Sequence, residues 1–461
     1  MEQLNAISEE FSSLAWGIPL LVLLIGGGIY LLILSRFLPF RFFGHAIQVL
    51  RGKYDNPNDL GEISHFKALT TALSSTIGMG NIAGVALAIS VGGPGAMFWM
   101  WVSAIVGMST KFFTSTLAIM YRGKDSNGDL QGGPMYFITE GLGKNWKFLA
   151  IMFSFFGMLG ALPVVNVNQL KQAINDIVLI PNGVEVSVYT NLIIAGILVL
   201  FTSVVILGGL KRISNFASKM VPSMVVLYFI LVLIILGINY TEIPKYFLMI
   251  FQDAFQANYL DPESNKDVLG GVLGALILLG IKRGAFSNEA GIGTAPMAHG
   301  AAKTDEPVRE GLVAMLGPVI DTLIVCTLTA LAILVTGVWE TISDNGVTLT
   351  ASAFQDAMPY GQYLLMICVF VFSISSLFSY AYYGSKCTSF LFGAKNKHYY
   401  NYLYILSIVL AATTSFSTMI NFIDGVFAFM AIPTMVSTII MAPRVVKEIR
   451  AYRLRLKEDQ V

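Results

Sequence analysis

Apolar residues in this chain come in long runs, and the polar ones gather in short intervals between them. A helix crossing the hydrocarbon core of a bilayer needs about 20 predominantly apolar residues. By that measure eleven segments qualify: 16–35, 69–91, 96–121, 147–171, 190–208, 219–239, 266–301, 311–337, 361–385, 399–419 and 422–443. Two of them are interrupted. The run Leu69-TTALSSTIGMGNIAGVALAIS-Val91 carries Gly78, Gly80 and Gly84, with Asn81 among them. The run from Val268 to Ile281 meets Lys282-Arg283-Gly284 before it is long enough to cross, and is counted as the first half of one broken helix. Unwound backbone in lipid leaves N–H and C=O groups unsatisfied at several kcal/mol each, tolerable only where they line a cavity or coordinate something. Interruptions in corresponding positions of two halves are the sequence pointer to a transporter's binding site.

Charge sets the orientation. With the N-terminus outside and eleven spans, 23 of the 29 Lys and Arg residues fall in cytoplasmic intervals. Lys171, Lys245 and Lys266 fall outside, and Lys111, Lys282 and Arg283 lie within spans. Cytoplasmic loops carry such an excess, so the expected topology is N-out, C-in. Setting the first span aside leaves ten, which divide into five plus five, and because five is odd the halves insert with opposite orientations. The interrupted segments are the first of each five, as in an inverted repeat with broken first helices. The corresponding divisions are 1–38 for an extra N-terminal helix, 62–240 and 241–443 for the two repeats, and 444–461 for a basic cytoplasmic tail.

Composition narrows the class. The chain is 55% hydrophobic and 12% charged, against about a quarter charged for an average soluble domain. A net charge of +1 gives no reason to expect nucleic acid as a partner. Cys326, Cys368 and Cys387 form neither a disulfide framework nor a zinc spacing. The acidic N-terminus lacks the basic region of a signal peptide, so the first span is expected to be retained. No nucleophile–base pair or metal cluster marks an enzyme, no cofactor is implied, and no filter loop marks a channel.

The candidate chemistry lies at the interruptions. Glycines let backbone leave the helix, and the half-helix that follows presents N–H groups to an anion. Gly78, Met79, Gly80 and Asn81 are therefore candidates to hold a substrate carboxylate, the alternative being close helix packing at the glycines. Ile277, Gly280 and Ile281 are candidates to line the substrate beside the second interruption, with Glu289 a partner for Lys282 and Arg283, and Lys111 able to join from another helix. Asn166 and Asn168 have amides suited to a zwitterion or to bonding between helices. Asp321, although it lies in an apolar span, is read as structural. The four histidines (His45, His65, His299, His398) fall at predicted cytoplasmic ends and are read as solvated. The basic stretch Arg444–Lys457 is expected to lie against anionic headgroups.

Four stretches carry a resemblance: Ser75-TIGMGNIAGVA-Leu87, Gln131-GGPMYFITEG-Leu142, Gly280-IKRGAFSNEAGIGTAP-Met297 and Gly317-PVIDTLIVCTLTA-Leu331. In order and extent they resemble the alanine/glycine:cation symporter family, the sodium:alanine symporters. The resemblance implies an all-α polytopic plasma-membrane protein with a leucine-transporter-like core of ten helices. It also implies Na⁺-coupled symport of a small neutral amino acid by alternating access; the alternative is the same scaffold carrying another amino acid such as glutamine, or coupled to H⁺ in place of Na⁺. The run Ser75–Asn81 is similar to the unwound first helix of the wider superfamily. That similarity implies Thr76 and Asn81 as ligands of one Na⁺, and Ser74, Ile77, Phe372, Ser375 and Ser376 as ligands of a second. Oxygen ligands suit a hard cation, and Na⁺ is one. The alternative for Ser375 and Ser376 is a bond back to their own helix. The chain departs from the family in having Phe113-Thr114 where a glutamate is usual, Pro163 ahead of Asn166 and Asn168, and Tyr380 where a tryptophan is usual. These positions would read the substrate's side chain and amino group, and Tyr380 is accordingly a candidate substrate residue.

The topology makes a direct prediction: cysteines introduced singly at residues 125 and 262 should label from the cytoplasmic and the outer side respectively, and the reverse pattern would remove the inverted repeat.

Overall fold

The computed structural model describes residues 2–206, 209–260, 271–341 and 346–458, so position 262 and the start of the second interrupted segment, 268–270, lie outside the described residues. Helices dominate, with a two-stranded hairpin pairing Gly123–Lys124 with Leu130–Gln131. Among the described residues seven helices are long and apolar enough to cross a membrane, and two further pairs qualify if each bent pair is one span. One bent pair is Asn5–Ala15 with Ile18–Leu34, at 51°; the other is His65–Thr76 with Gly80–Gly92, at 53°. Two more of the expected segments fold as Gly271–Asn288 and Lys397–Thr413, of 18 and 17 residues.

Two features depart from the hydropathy reading. Amphipathic helices Ile243–Asp253 and Val347–Ala357 sit between spans, and Asp253 anchors the first by accepting from the Gly95 amide at 2.8 Å. The C-terminal basic stretch is not a separate surface element. Phe416–Glu458 is one helix of 43 residues, whose Val445, Ile449 and Tyr452 are buried. Tyr452 meets His45 at 2.7 Å, and Arg455 meets Glu306 at 2.7 Å and Glu448 at 2.6 Å. Burial, then the charges of Arg309 and Lys53, hold the His45 imidazole below its ordinary pKa, so it is neutral at pH 7 and bonds to the phenol as a neutral partner.

Both interrupted helices pack against long neighbours. Gly271–Asn288 lies against Gly95–Met120, and His65–Thr76 lies against both Gly209–Ile238 and Gly361–Phe392. Small residues allow the closest of these approaches, as in other membrane helix pairs. A Cβ on Gly280 would stand 2.6 Å from the Ala96 carbonyl oxygen, and one on Gly284 would stand 2.9 Å from the Ser103 Cβ. Gly280→Ala should therefore lower the thermal unfolding midpoint in detergent, at an overpacking cost of about 1–3 kcal/mol, with amino-acid preference unchanged. An unchanged midpoint would show that the helix pair has slack there.

Candidate functional site

The first interruption forms where the sequence places it. Helix His65–Thr76 begins at Ser64, whose hydroxyl caps the Lys67 amide, and ends as Ile77 turns extended (φ −77°, ψ 93°). The Asn81 side-chain carbonyl accepts the Gly78 amide at 3.0 Å, so the asparagine satisfies the gap from inside the chain. A Cβ on Gly78 would stand 2.6 Å from the Ser376 hydroxyl. A side chain there would have to displace the Ser376 hydroxyl, because the long helix Gly361–Phe392 passes close.

The second interruption lies further along than the sequence suggests. Helix Gly271–Asn288 runs unbroken through Lys282, Arg283 and Gly284, then unwinds at Glu289 (φ +54°), Gly291 (φ +87°) and Gly293 (φ +104°), and resumes at Ala295. The reason is Asp424, a buried carboxylate on Phe416–Glu458 that takes Lys282 at 2.8 Å and Arg283 at 2.6 Å. A carboxylate on a neighbouring helix makes a buried and a half-buried cation tolerable, so the helix need not end at them. Glu289 is not their partner. Lys111 does not join them either; its ammonium has no ion pair within 4.0 Å among the described residues.

Between the two interrupted helices lies a cavity of about 20 Å³. Ser75, Thr76 and Gly80 wall it from the first interrupted helix, Phe286 from the second, Asn166 from Val164–Ala173 and Tyr380 from Gly361–Phe392. Leu162, Val165, Ile423 and Phe427 complete the apolar part. Thr76, Gly80, Asn166 and Tyr380 were thus legible as candidates, and Gly78 adjoins Asn166. The others are arranged differently. Met79 is buried outside the lining, and Asn81 turns its amide N–H groups to the Asp321 carbonyl at 3.3 Å and the Cys326 sulfur at 3.4 Å. Asn168 donates to the Ala411 and Thr414 carbonyls at 3.1 and 2.6 Å, which makes it a tie between helices. Ile277, Gly280 and Ile281 sit in unbroken helix outside the lining. Phe286 and Phe427 were missed. Their rings lie 5.7 Å apart over the cavity, and an aromatic residue in an apolar span gives no local signal of that role.

The oxygen-rich positions also meet. Ser74 and Ser379 hydroxyls bond to each other, and Ser376 lies against Gly78. Ser375 and Ser376 donate to the Phe372 carbonyl at 2.9 and 3.0 Å, leaving their oxygen lone pairs as acceptors. Asp321 has its local partners, Ser287 at 2.6 Å and Thr322 at 2.8 Å.

Two polar clusters outside the lining tie distant segments together. One is the Asp424 cluster, whose Arg283 guanidinium lies 5.6 Å from the Phe286 ring; there Ser12 accepts from Lys282 at 2.9 Å and the Trp16 indole donates to the Asp424 carbonyl at 2.8 Å. In the other, Arg122 donates to the Gly300, Leu60 and Thr304 carbonyls at 2.9, 3.1 and 3.2 Å, and also to that of Ala302. There two histidines prove not to be solvated: His65 and His299 are buried, and both bind the Glu310 carboxylate. His398 is exposed, in line with expectation.

Comparison with known proteins agrees with this architecture. The sequence profile of the Sodium:alanine symporter family matches residues 1–461. The chain belongs to that family. It is 40% identical to the sodium/alanine symporter AgcS of Methanococcus maripaludis, over 97% of each chain. It is 34% identical to the probable sodium/glutamine symporter GlnT of Bacillus subtilis, over 89% of this chain and 82% of that one. The fold is that of MhsT, solved in complex with L-phenylalanine, with a TM-score of 0.60 at 14% identity over 84% of this chain and 98% of that one. Membership makes this a multi-pass cytoplasmic-membrane transporter and not an enzyme.

Asp424 is the acid that holds Lys282 and Arg283. Asp424→Ala strands the buried Arg283 and the half-buried Lys282, and removing one partner of a buried pair costs about 3–5 kcal/mol. The thermal midpoint should fall sharply in Asp424→Ala and recover in part when Lys282→Met and Arg283→Met are added. Equal midpoints for Asp424→Ala and the unmodified protein would show that the cations reach water instead.

Proposed function

We propose that this protein carries a small neutral amino acid, alanine- or glycine-like, inward with Na⁺ by alternating access. The observation that supports the reading is the cavity beside the first unwound segment, walled by Ser75, Thr76, Gly80 and Asn166 on one side and by the Phe286, Tyr380 and Phe427 rings on the other. Half-helix ends suit the charges of a zwitterion, and Gly78, Gly80, Asn166 and Tyr380 are the residues we assign to it. A cavity of about 20 Å³ takes roughly one water, so cargo enters only as the walls part. Phe286, Phe427 and Tyr380 around so small a space favour a short side chain over glutamine. In this reading the repeats 62–240 and 241–443 move against one another, while the helix within 1–38 and the tail 444–461 brace them.

For the ion, we assign Ser74, Ile77, Phe372, Ser375 and Ser376 to one Na⁺, and Thr76 with the remaining Asn81 carbonyl lone pair to a Na⁺ beside the substrate. Uptake and counterflow of an amino-acid panel in proteoliposomes, with and without a Na⁺ gradient, test the cargo and the ion together. Uptake driven equally well by a proton gradient without Na⁺ would falsify the sodium assignment. Loss of a buried hydroxyl partner costs about 1–3 kcal/mol, or roughly five- to 150-fold in affinity. Ser376→Ala should raise the Na⁺ concentration for half-maximal uptake by that order, with amino-acid affinity at saturating Na⁺ nearly unchanged. Normal Na⁺ dependence in Ser375→Ala/Ser376→Ala would move the ion to Thr76 and Asn81.

A further inference from the structure

Glu289, freed from the cations, is committed elsewhere. It sits at the second interruption with a left-handed backbone (φ +54°), a conformation a side-chain-bearing residue keeps only where its surroundings hold it. Its carboxylate is surrounded by hydroxyls. Tyr380 donates to Oε1 at 2.6 Å, Thr294 donates to Oε2, and the Ser75 hydroxyl stands 3.4 Å from Oε2. Thr294 belongs to the same interruption, whereas Ser75 and Tyr380 are cavity walls from two other helices. One carboxylate, rooted in the unwound part of one repeat, therefore fixes a wall residue of the other repeat and a wall residue of the long helix.

We propose that Glu289 is a positioning residue that sets the size of amino acid the transporter accepts, by holding the Tyr380 phenol at a fixed depth in the cavity. The proposal rests on the cavity being the amino-acid site. A phenol has two side-chain torsions, and a ring free to rotate could withdraw to admit a longer cargo. Here withdrawal breaks a hydrogen bond to a carboxylate, a bond about twice as strong as one between neutral groups. It also leaves a buried acceptor short of a donor. Tyr383 packs edge-on to Tyr380, with centroids 6.3 Å apart, and occupies space on one side of the ring. The ring is held by its hydroxyl as well as by packing, and the hydroxyl is the part that a single atom's removal can test.

The test compares KM and maximal rate of Na⁺-driven uptake for alanine and for methionine, in proteoliposomes of the unmodified protein, Glu289→Gln, Tyr380→Phe and the double variant. Glu289→Gln and Tyr380→Phe should each shift the alanine-to-methionine ratio of rate over KM toward methionine, on the order of five- to tenfold. The double variant should shift it no further than either single one, because coupled neighbours are not additive. A residue that only supports the fold would lower the maximal rate for both cargoes and leave the ratio alone. If Glu289→Gln fails to insert, Tyr380→Phe decides by itself, since it keeps the ring and removes the bond. An unshifted ratio in Tyr380→Phe, or shifts that multiply in the double variant, would overturn the proposal while leaving the transport reading intact. Absence of any amino-acid uptake by the unmodified protein would overturn both.

Discussion

Backbone that leaves a helix inside a bilayer must find new hydrogen-bond partners without help from solvent, and this protein meets that demand twice within one small region. At the first interruption the partner is local, the Asn81 side chain returning to the Gly78 amide. At the second, Asn288 plays a similar part, its carbonyl accepting the Ala290 amide at 2.9 Å. The surrounding helices are placed to serve these two gaps. Gly95–Met120 lies along the second interrupted helix, and Gly361–Phe392 lies close enough to the first that a side chain on Gly78 would have to displace the Ser376 hydroxyl.

The same arrangement explains how a cavity can exist among helices packed so closely. Its polar wall is built from groups at the first interruption, Ser75, Thr76 and Gly80, and its apolar wall includes Phe286 from the helical part of the second interrupted segment and Phe427 from a helix that remains whole. Polar groups in such a place are held by other protein groups at every other contact, which keeps their orientation fixed. The charged clusters, the Asp424 group and the Arg122 and Glu310 groups, lie outside its lining. Each joins segments distant in sequence: Asp424 lies 141 residues from Arg283, and Arg122 lies 178 residues from Gly300.

What the sequence made legible follows from the range of the interactions involved. Glycines beside an asparagine in an apolar run report a local gap, and the first interruption falls among them. The second was misplaced by about two helical turns because Lys282 and Arg283 look like a helix end when their acid is unknown. Hydropathy has no means of pairing them with Asp424. Asn168 and Asn166 have the same chemistry and lie two residues apart, yet one ties helices together and the other faces the cavity. Their roles differ by rotation about one helix axis, which depends on what packs around it. His65 and His299 misled for a related reason, since each is a polar residue near a span end and Glu310 comes from a third segment.

The Asp424 cluster holds one carboxylate against two cations, and that imbalance gives its evolution a direction. Loss of Lys282 leaves Arg283 and Asp424 as a balanced pair at 2.6 Å, with Trp16 still fastened to the same residue's carbonyl. Loss of Asp424 first leaves a buried and a half-buried charge uncompensated. A lineage shedding this cluster one substitution at a time passes more easily through the lysine, and the aspartate is the residue it can least afford to lose early.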